Sequence, residues 1–373
     1  MSTLKVSTFF VAERPMPVIQ DAPADPRRAT YDTVRAMPKV ELHRHLEGSL
    51  RLETLLSIAL EHSITLPGID LEGLRPHVQM MPDEPRDWQH FLGKFTVLRM
   101  FYRSERIIKR VAEEVVADAA ADNVKYMELR FTPQALNNIM RCQYGDVVTW
   151  VCEAVRGACV RYGIEVNLIV SMNRHESTEI AEEVVDAALA HLGYGVVGID
   201  LAGQEANFSA RPFRALFERA KANGLGITVH AGEWAGAESV REVVEELGAM
   251  RIGHGIRAIE DPALVDLLAE QGTVLEVCPT SNVHSGVVSE YASHPLVALT
   301  RAGVRTTINT DDPLISNITL SDELEAVLSN TSLTLDDLKR QQLTAVRAAF
   351  IPPERRAQLA AQFGSWFTND STG

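Results

Sequence analysis

The chain has 373 residues, 46% hydrophobic and 23% charged, a globular composition that excludes a disordered, collagenous or coiled-coil protein. With 36 Lys and Arg against 50 Asp and Glu it carries a net charge of −14, which repels phosphate backbones and anionic lipid, so neither a nucleic-acid polymer nor a membrane is expected as partner. No run reaches the ~18 apolar residues of a membrane span, and Cys142, Cys152, Cys159 and Cys278 lack CxxC spacing, so a reduced, cytoplasmic protein is expected.

Residues 1–28 are proline-rich and without periodicity, and read as an extended N-terminal arm. Glu13 and Arg14 interrupt the apolar patch there and no small-residue cleavage site follows, so no secretory signal is expected. From Met37 onward short β-branched runs recur. They are VELHRH (40–45), VKYMELRF (124–131), EVNLIVSM (165–172), VVGIDLAG (196–203), GITVHAG (226–232), RIGHG (251–255), TVLEVCP (273–279) and VRTTINTDD (304–312). Amphipathic stretches such as ARPFRALFERAKANG and DPALVDLLAEQG separate them, each closed by a glycine stop signal.

Eight strands alternating with helices predict an α/β chain folded as a (β/α)8 TIM barrel, a single domain over 29–373. The gap after the first strand is too long for one crossover. Its patterns predict a helical cap inserted at about 48–122, and the chain after 320 predicts further C-terminal helices.

Chemistry in such a barrel lies at the C-terminal strand ends. The first strand ends in His43-Arg44-His45, whose alternation sends two imidazoles to one face. The fifth ends in His230 with Glu233 close behind, the sixth in His254, and the eighth in Asp311-Asp312, whose side chains diverge. Three histidines and a carboxylate (His43, His45, His230, Asp311) form a nitrogen and oxygen ligand set suited to Zn²⁺. Bound zinc would supply hydroxide at neutral pH. Glu233 is placed to move protons between that water and a substrate nitrogen, and His254 to orient the hydroxide or take its proton. Asp312 faces the substrate or caps a helix. Gly203, lacking a side chain, is either an ordinary turn glycine or a backbone surface for a flat ligand.

In order, PKVELHRHLEGS (38–49), YMELRFTP (126–133), VVGIDLAGQE (196–205), ITVHAGE (227–233), RIGHG (251–255), CPTSN (278–282) and NTDDP (309–313) resemble the motifs of the adenosine deaminase family of the amidohydrolase superfamily, over about residues 36–330. The resemblance implies one zinc per chain on His43, His45, His230 and Asp311, with Glu233 as proton donor to purine N1. It implies His254 beside the attacking hydroxide, Asp312 at N7 and the Gly203 amide at N3. Hydroxide would add at C6 and ammonia would leave. Family members acting on adenosine commonly carry aspartate in HLDG, reaching the ribose 5′-hydroxyl, where this chain has Glu47; relatives acting on adenine or aminodeoxyfutalosine often carry glutamate. The implied substrate is adenosine or 2′-deoxyadenosine, with adenine or aminodeoxyfutalosine as the alternative. A binuclear amidohydrolase would need a bridging carboxylate, commonly a carboxylated lysine, and residues 164–220 contain no lysine. A non-catalytic relative would show a broken ligand set, and this one is intact. Partners are therefore a small purine nucleoside or base, with a homo-oligomer left open.

Overall fold

The computed structural model describes residues 26–66, 68 and 70–369. Its frame is eight parallel strands: β1 (Lys39–His45), β2 (Val124–Phe131), β3 (Glu165–Asn173), β4 (Val196–Ala202), β5 (Gly226–Ala231), β6 (Arg251–His254), β7 (Val274–Val277) and β8 (Arg305–Ile308). They pair in sequence order from β1 to β8. The seam between β8 and β1 is a single bridge, Arg44 to Asp311, in which His45 N donates to Asp311 O at 2.8 Å and Asp311 N to His43 O at 3.0 Å. The barrel therefore closes at the residues singled out as metal ligands.

Two expectations need correction. Residues 26–28 belong to a helix, α1 (Pro26–Ala36), because proline with its fixed φ suits the start of a helix; the remainder of the expected arm lies outside the described residues. The eighth strand stops at Ile308, short of Asp311-Asp312: past Asn309, whose N donates to Val277 O at 2.9 Å, the backbone leaves β7 and turns through a left-handed φ of +64 at Asp311.

Between β1 and β2 lie α2 (Leu52–His62), α3 (Leu71–Val78), α4 (Trp88–Leu98) and α5 (Glu105–Ala121). Their starts are written locally: Asp70 accepts from Gly73 N, Asp87 from His90 N and Ser104 from Ile107 N. α5 buries Ile107, Ile108, Val111, Ala112, Val115 and Val116, the spacing of one helical face. The helices Leu320–Asn330 and Leu335–Ala348 open with capping boxes, Thr319/Asp322 and Thr334/Asp337. The second reaches the barrel bottom, where Val40 N donates to Gln342 Oε1 at 2.6 Å. Just beyond it the Phe350 ring closes the bottom; a Cβ on Gly226 would stand 2.3 Å from that ring, so only glycine fits.

Inside, the barrel is polar. Glu128, Arg130, Asp200, Arg251 and Glu276 are essentially without solvent exposure. Isolated charges there would cost far more than folding supplies, so they must neutralise one another. Arg251 meets Glu276 at 2.6 Å and Glu128 at 2.5 Å, and Arg130 meets Glu276 at 2.5 Å. This network forms the floor beneath the strand-end histidines.

Candidate active site

His43, His230, His254 and Asp311 bring their ligand atoms within 4.8 Å of one another. His45 joins them: its Nε2 lies 3.2 Å from His230 Nε2 and 3.3 Å from Asp311 Oδ1. His43 Nε2 stands 3.2 Å from the same Asp311 oxygen yet makes no hydrogen bond, a buried nitrogen without a partner. His254 and Asp311 both hold left-handed backbone (φ +61 and +64), strain of a kind that collects at functional positions.

The outward nitrogens decide what faces inward. His43 Nδ1 lies 2.9 Å from Glu276 Oε2, and His230 Nδ1 3.0 Å from Asp200 Oδ1. Each carboxylate only accepts, so each Nδ1 carries a proton and each Nε2 is the nitrogen left to face the site; burial keeps His230 neutral with a lone pair there, and His43 offers one once a cation takes the place of any proton that Asp311 and Glu276 hold on the ring. Arg130, 2.5 Å from Glu276 and 3.4 Å from Asp200, keeps both carboxylates ionised. Lone pairs and a carboxylate converging on one point repel unless a cation joins them. The donor set thus fits a metal ion.

His254 is held the other way. Leu296 N–H donates to His294 Nδ1 at 3.0 Å, so the neutral His294 carries its proton on Nε2. That proton goes to Asn282 Oδ1 at 3.2 Å, and Asn282 Nδ2 then donates to His254 Nδ1 at 3.1 Å. One backbone amide thereby sets the polarity of three side chains, and neutral His254 presents Nε2–H to the site, 3.5 Å from Glu233 Oε2 and 3.9 Å from Asp311 Oδ2. Burial, then the imidazoles around it, hold His254 and His45 well below the usual imidazole range, so both are neutral at pH 7.

Glu233 sits on a loop pinned by another carboxylate. Glu205 accepts from the backbone N–H of Gly232 (2.5 Å), Glu233 (3.0 Å), Trp234 (2.7 Å) and Ala235 (3.1 Å), and from Ser239 Oγ (2.6 Å). Burial above all, with the charges of Asp311, Glu205 and Asp312, raises the Glu233 pKa well above the carboxylate range. The Asp312 carboxyl, buried beside Asp311 and Glu47, is raised in the same sense. It occupies the N-cap position of the short helix Pro313–Ser316 without capping it, and its Oδ1 has no partner.

These groups line a cavity of about 370 Å³ at the barrel mouth, walled by Trp88, Phe91, Phe95 and Arg99 of the α4 segment. Glu47 enters it with one oxygen accepting from Thr132 N at 2.6 Å and the other buried without a partner. Burial pushes its pKa up to about 7. Gly203 has φ +91 and supports the His175 ring, whose Nδ1 would lie 2.6 Å from any Cβ there. Trp234 stacks on Trp88, centroids 5.8 Å apart, tying the loop of Glu233 to α4.

All nine residues singled out in the sequence (His43, His45, Glu47, Gly203, His230, Glu233, His254, Asp311, Asp312) therefore line or border one cavity. Sequence reasoning missed the partners that orient them: Glu276, Asp200, Arg130, Glu205, Asn282 and His294. A signal existed for the first three, since a charged residue inside a β-branched run (VLEV, GIDL, ELRF) is costly unless something buried needs it.

A family model described as adenosine deaminase matches residues 38–366. An adenosine deaminase of Erwinia tasmaniensis is 39% identical over 329 residues, covering 88% of this chain and 98% of that protein. The crystal structure of an adenine deaminase from Arthrobacter aurescens is 29% identical, with a TM-score of 0.82, covering 89% of this chain and 100% of that one. An amidohydrolase from Burkholderia ambifaria, solved with bound Zn, is 25% identical with a TM-score of 0.82, covering 95% and 98%.

Proposed function

The chain belongs to the adenosine deaminase family and is a zinc-dependent hydrolase of 6-aminopurines, and we propose that its substrate is a purine nucleoside with the adenosine core. We assign His43, His45, His230 and Asp311 as the ligands of one zinc ion. The supporting observation is the polarity of the imidazoles: His43 and His230 turn inward the nitrogen that can give a metal its lone pair, while His254 turns a proton inward and so stands beside the ion rather than on it. When bound, zinc supplies a Lewis acid that brings the pKa of water to ~7.

The other roles follow from protonation states. Glu233, kept protonated by burial and its acidic neighbours, carries at neutral pH the proton that purine N1 takes as the nucleophile adds to C6. His254 Nε2–H, 3.5 Å from Glu233 Oε2, would donate to the attacking oxygen and direct its lone pairs toward the ring. Asp312, also protonated, is a donor for N7, which can only accept. The Gly203 amide serves N3, and Glu47 accepts from a sugar hydroxyl. Glu205 holds Glu233 in place through the loop backbone.

The test is a panel of adenosine, 2′-deoxyadenosine and adenine, followed by ultraviolet difference spectra and ammonia release, with metal counted by elemental analysis. One zinc per chain and turnover of the nucleosides are expected. Two metals per active chain, or no ammonia from any 6-aminopurine, overturns this reading.

A further inference from the structure

Among the described residues that line the cavity, Arg99 alone carries a fixed positive charge, against Glu47, Glu233, Asp311 and Asp312. It stands at the C-terminal cap of α4, half-buried, with its Nε inaccessible and without a hydrogen-bond partner. The lysine of the same helix is committed elsewhere, Lys94 meeting Glu84 at 2.6 Å. Arg99 joins no such pair. Its field reaches Glu47 on one side and His175 and Glu176 on the other. His175, resting on Gly203, likewise has a buried Nδ1 with no partner. The α4 side of the cavity is otherwise largely apolar, with Phe91, Leu92 and Phe95 in its lining.

An unpartnered guanidinium N–H withdrawn from water is costly, and the group that repays it is a planar or tetrahedral oxyanion taken in a fork. With the 6-amino end beside Glu233 and the histidines, the sugar extends toward α4. We propose that Arg99 and His175 form an anion subsite, and that the substrate is a 6-aminopurine nucleoside bearing a carboxylate or phosphate on its 5′ carbon. The proposal rests on the deaminase reading for the orientation of the purine.

The experiment uses the full-length zinc enzyme at low ionic strength. It compares kcat/KM for adenosine, adenosine 5′-monophosphate and adenosine-5′-carboxylic acid in wild type and Arg99→Met. In parallel, binding of inosine 5′-monophosphate and of inosine is read by quenching of tryptophan fluorescence, Trp88 and Trp234 lining the cavity. The wild type should favour one of the anions over adenosine, and that preference should fall about ten- to a hundredfold in Arg99→Met and shrink with added salt. Whichever of carboxylate and phosphate is favoured identifies the anion. A wild type that handles adenosine at least as well as both anions, in turnover and in binding, overturns the subsite, as does a preference unchanged in Arg99→Met. Adenosine turnover would then leave the deaminase reading standing. An anion preference in binding with no turnover of any 6-aminopurine supports the subsite and overturns the deaminase reading instead.

Discussion

The floor of the barrel and its mouth are both built from buried polar residues, but they are balanced differently. On the floor, Arg251 joins Glu128 and Glu276, and Arg130 joins Glu276, so each charge there faces an opposite one within the chain. At the mouth, Glu47 Oε2, Arg99 Nε, His175 Nδ1, Trp234 Nε1 and Asp312 Oδ1 are buried with no partner in the chain. Arg130 Nε and Nη1 on the floor also lack a hydrogen-bond partner, but that guanidinium is shut in against Glu276 and Asp200, whereas the orphaned atoms of the mouth border an open cavity where something outside the chain can reach them. The floor is addressed to the fold and to the ligands of the metal, the mouth to the substrate. Variants on the floor should therefore cost stability or metal, and variants at the mouth should cost turnover.

The largest effect is expected at the mouth, where Glu233→Gln keeps the shape and removes the proton. Turnover should fall by about 10²–10⁴ with zinc content unchanged, and the melting temperature should not drop. Near-normal kcat would show that another group delivers the proton.

Arg251→Met is the counterpart on the floor. Leaving Glu128 without its cation, and Glu276 with Arg130 alone, should cost about 3–5 kcal/mol in urea unfolding, because a buried charge stripped of its partner keeps its full desolvation penalty. A loss below about 1 kcal/mol would mean that the network is not what holds the floor.

Glu47→Ala should lower kcat/KM for a nucleoside by about ten- to a hundredfold, the worth of a charged hydrogen bond, while barely touching free adenine. A wild type that prefers adenine, with the variant gaining adenosine activity, would show instead that the longer side chain fills the sugar space.

At neutral pH the smallest effect concerns His294, which lies behind the mouth and shows itself only in acid. Burial pushes its pKa down to about 4 from the ordinary 6.5. The unfolded chain therefore binds this proton more tightly: stability is full above about 6.5 and declines as pH falls toward 4, by up to about 1.4 kcal/mol per pH unit. His294→Gln should remove that share of the slope between pH 6.5 and 4. An unchanged slope would place the acid sensitivity elsewhere, His284 being pushed down to about 4 in the same way.

Strand count, order and the candidate residues were legible because they are local. A β-branched run ending in His-x-His, or a glycine-flanked His254, needs only a few neighbouring positions to be read, and a parallel barrel turns each strand end toward one mouth. Strand ends were read less well: the eighth strand stops at Ile308 rather than at Asp311-Asp312, since the left-handed φ that Asp311 adopts has no signature in a non-glycine residue. What tertiary structure alone decided are the pairings across the barrel: His43 with Glu276 lies 233 positions apart in sequence, and Asn282 with His254 lies 28 apart. Those pairings set the ring orientation of His43, His230 and His254, and with it which of them can hold a metal and which must donate. Arg99 likewise reads in sequence as one more charge on an amphipathic helix; only the placing of α4 over the barrel mouth, where Arg99 lines the cavity without forming an ion pair, turns that charge toward a ligand.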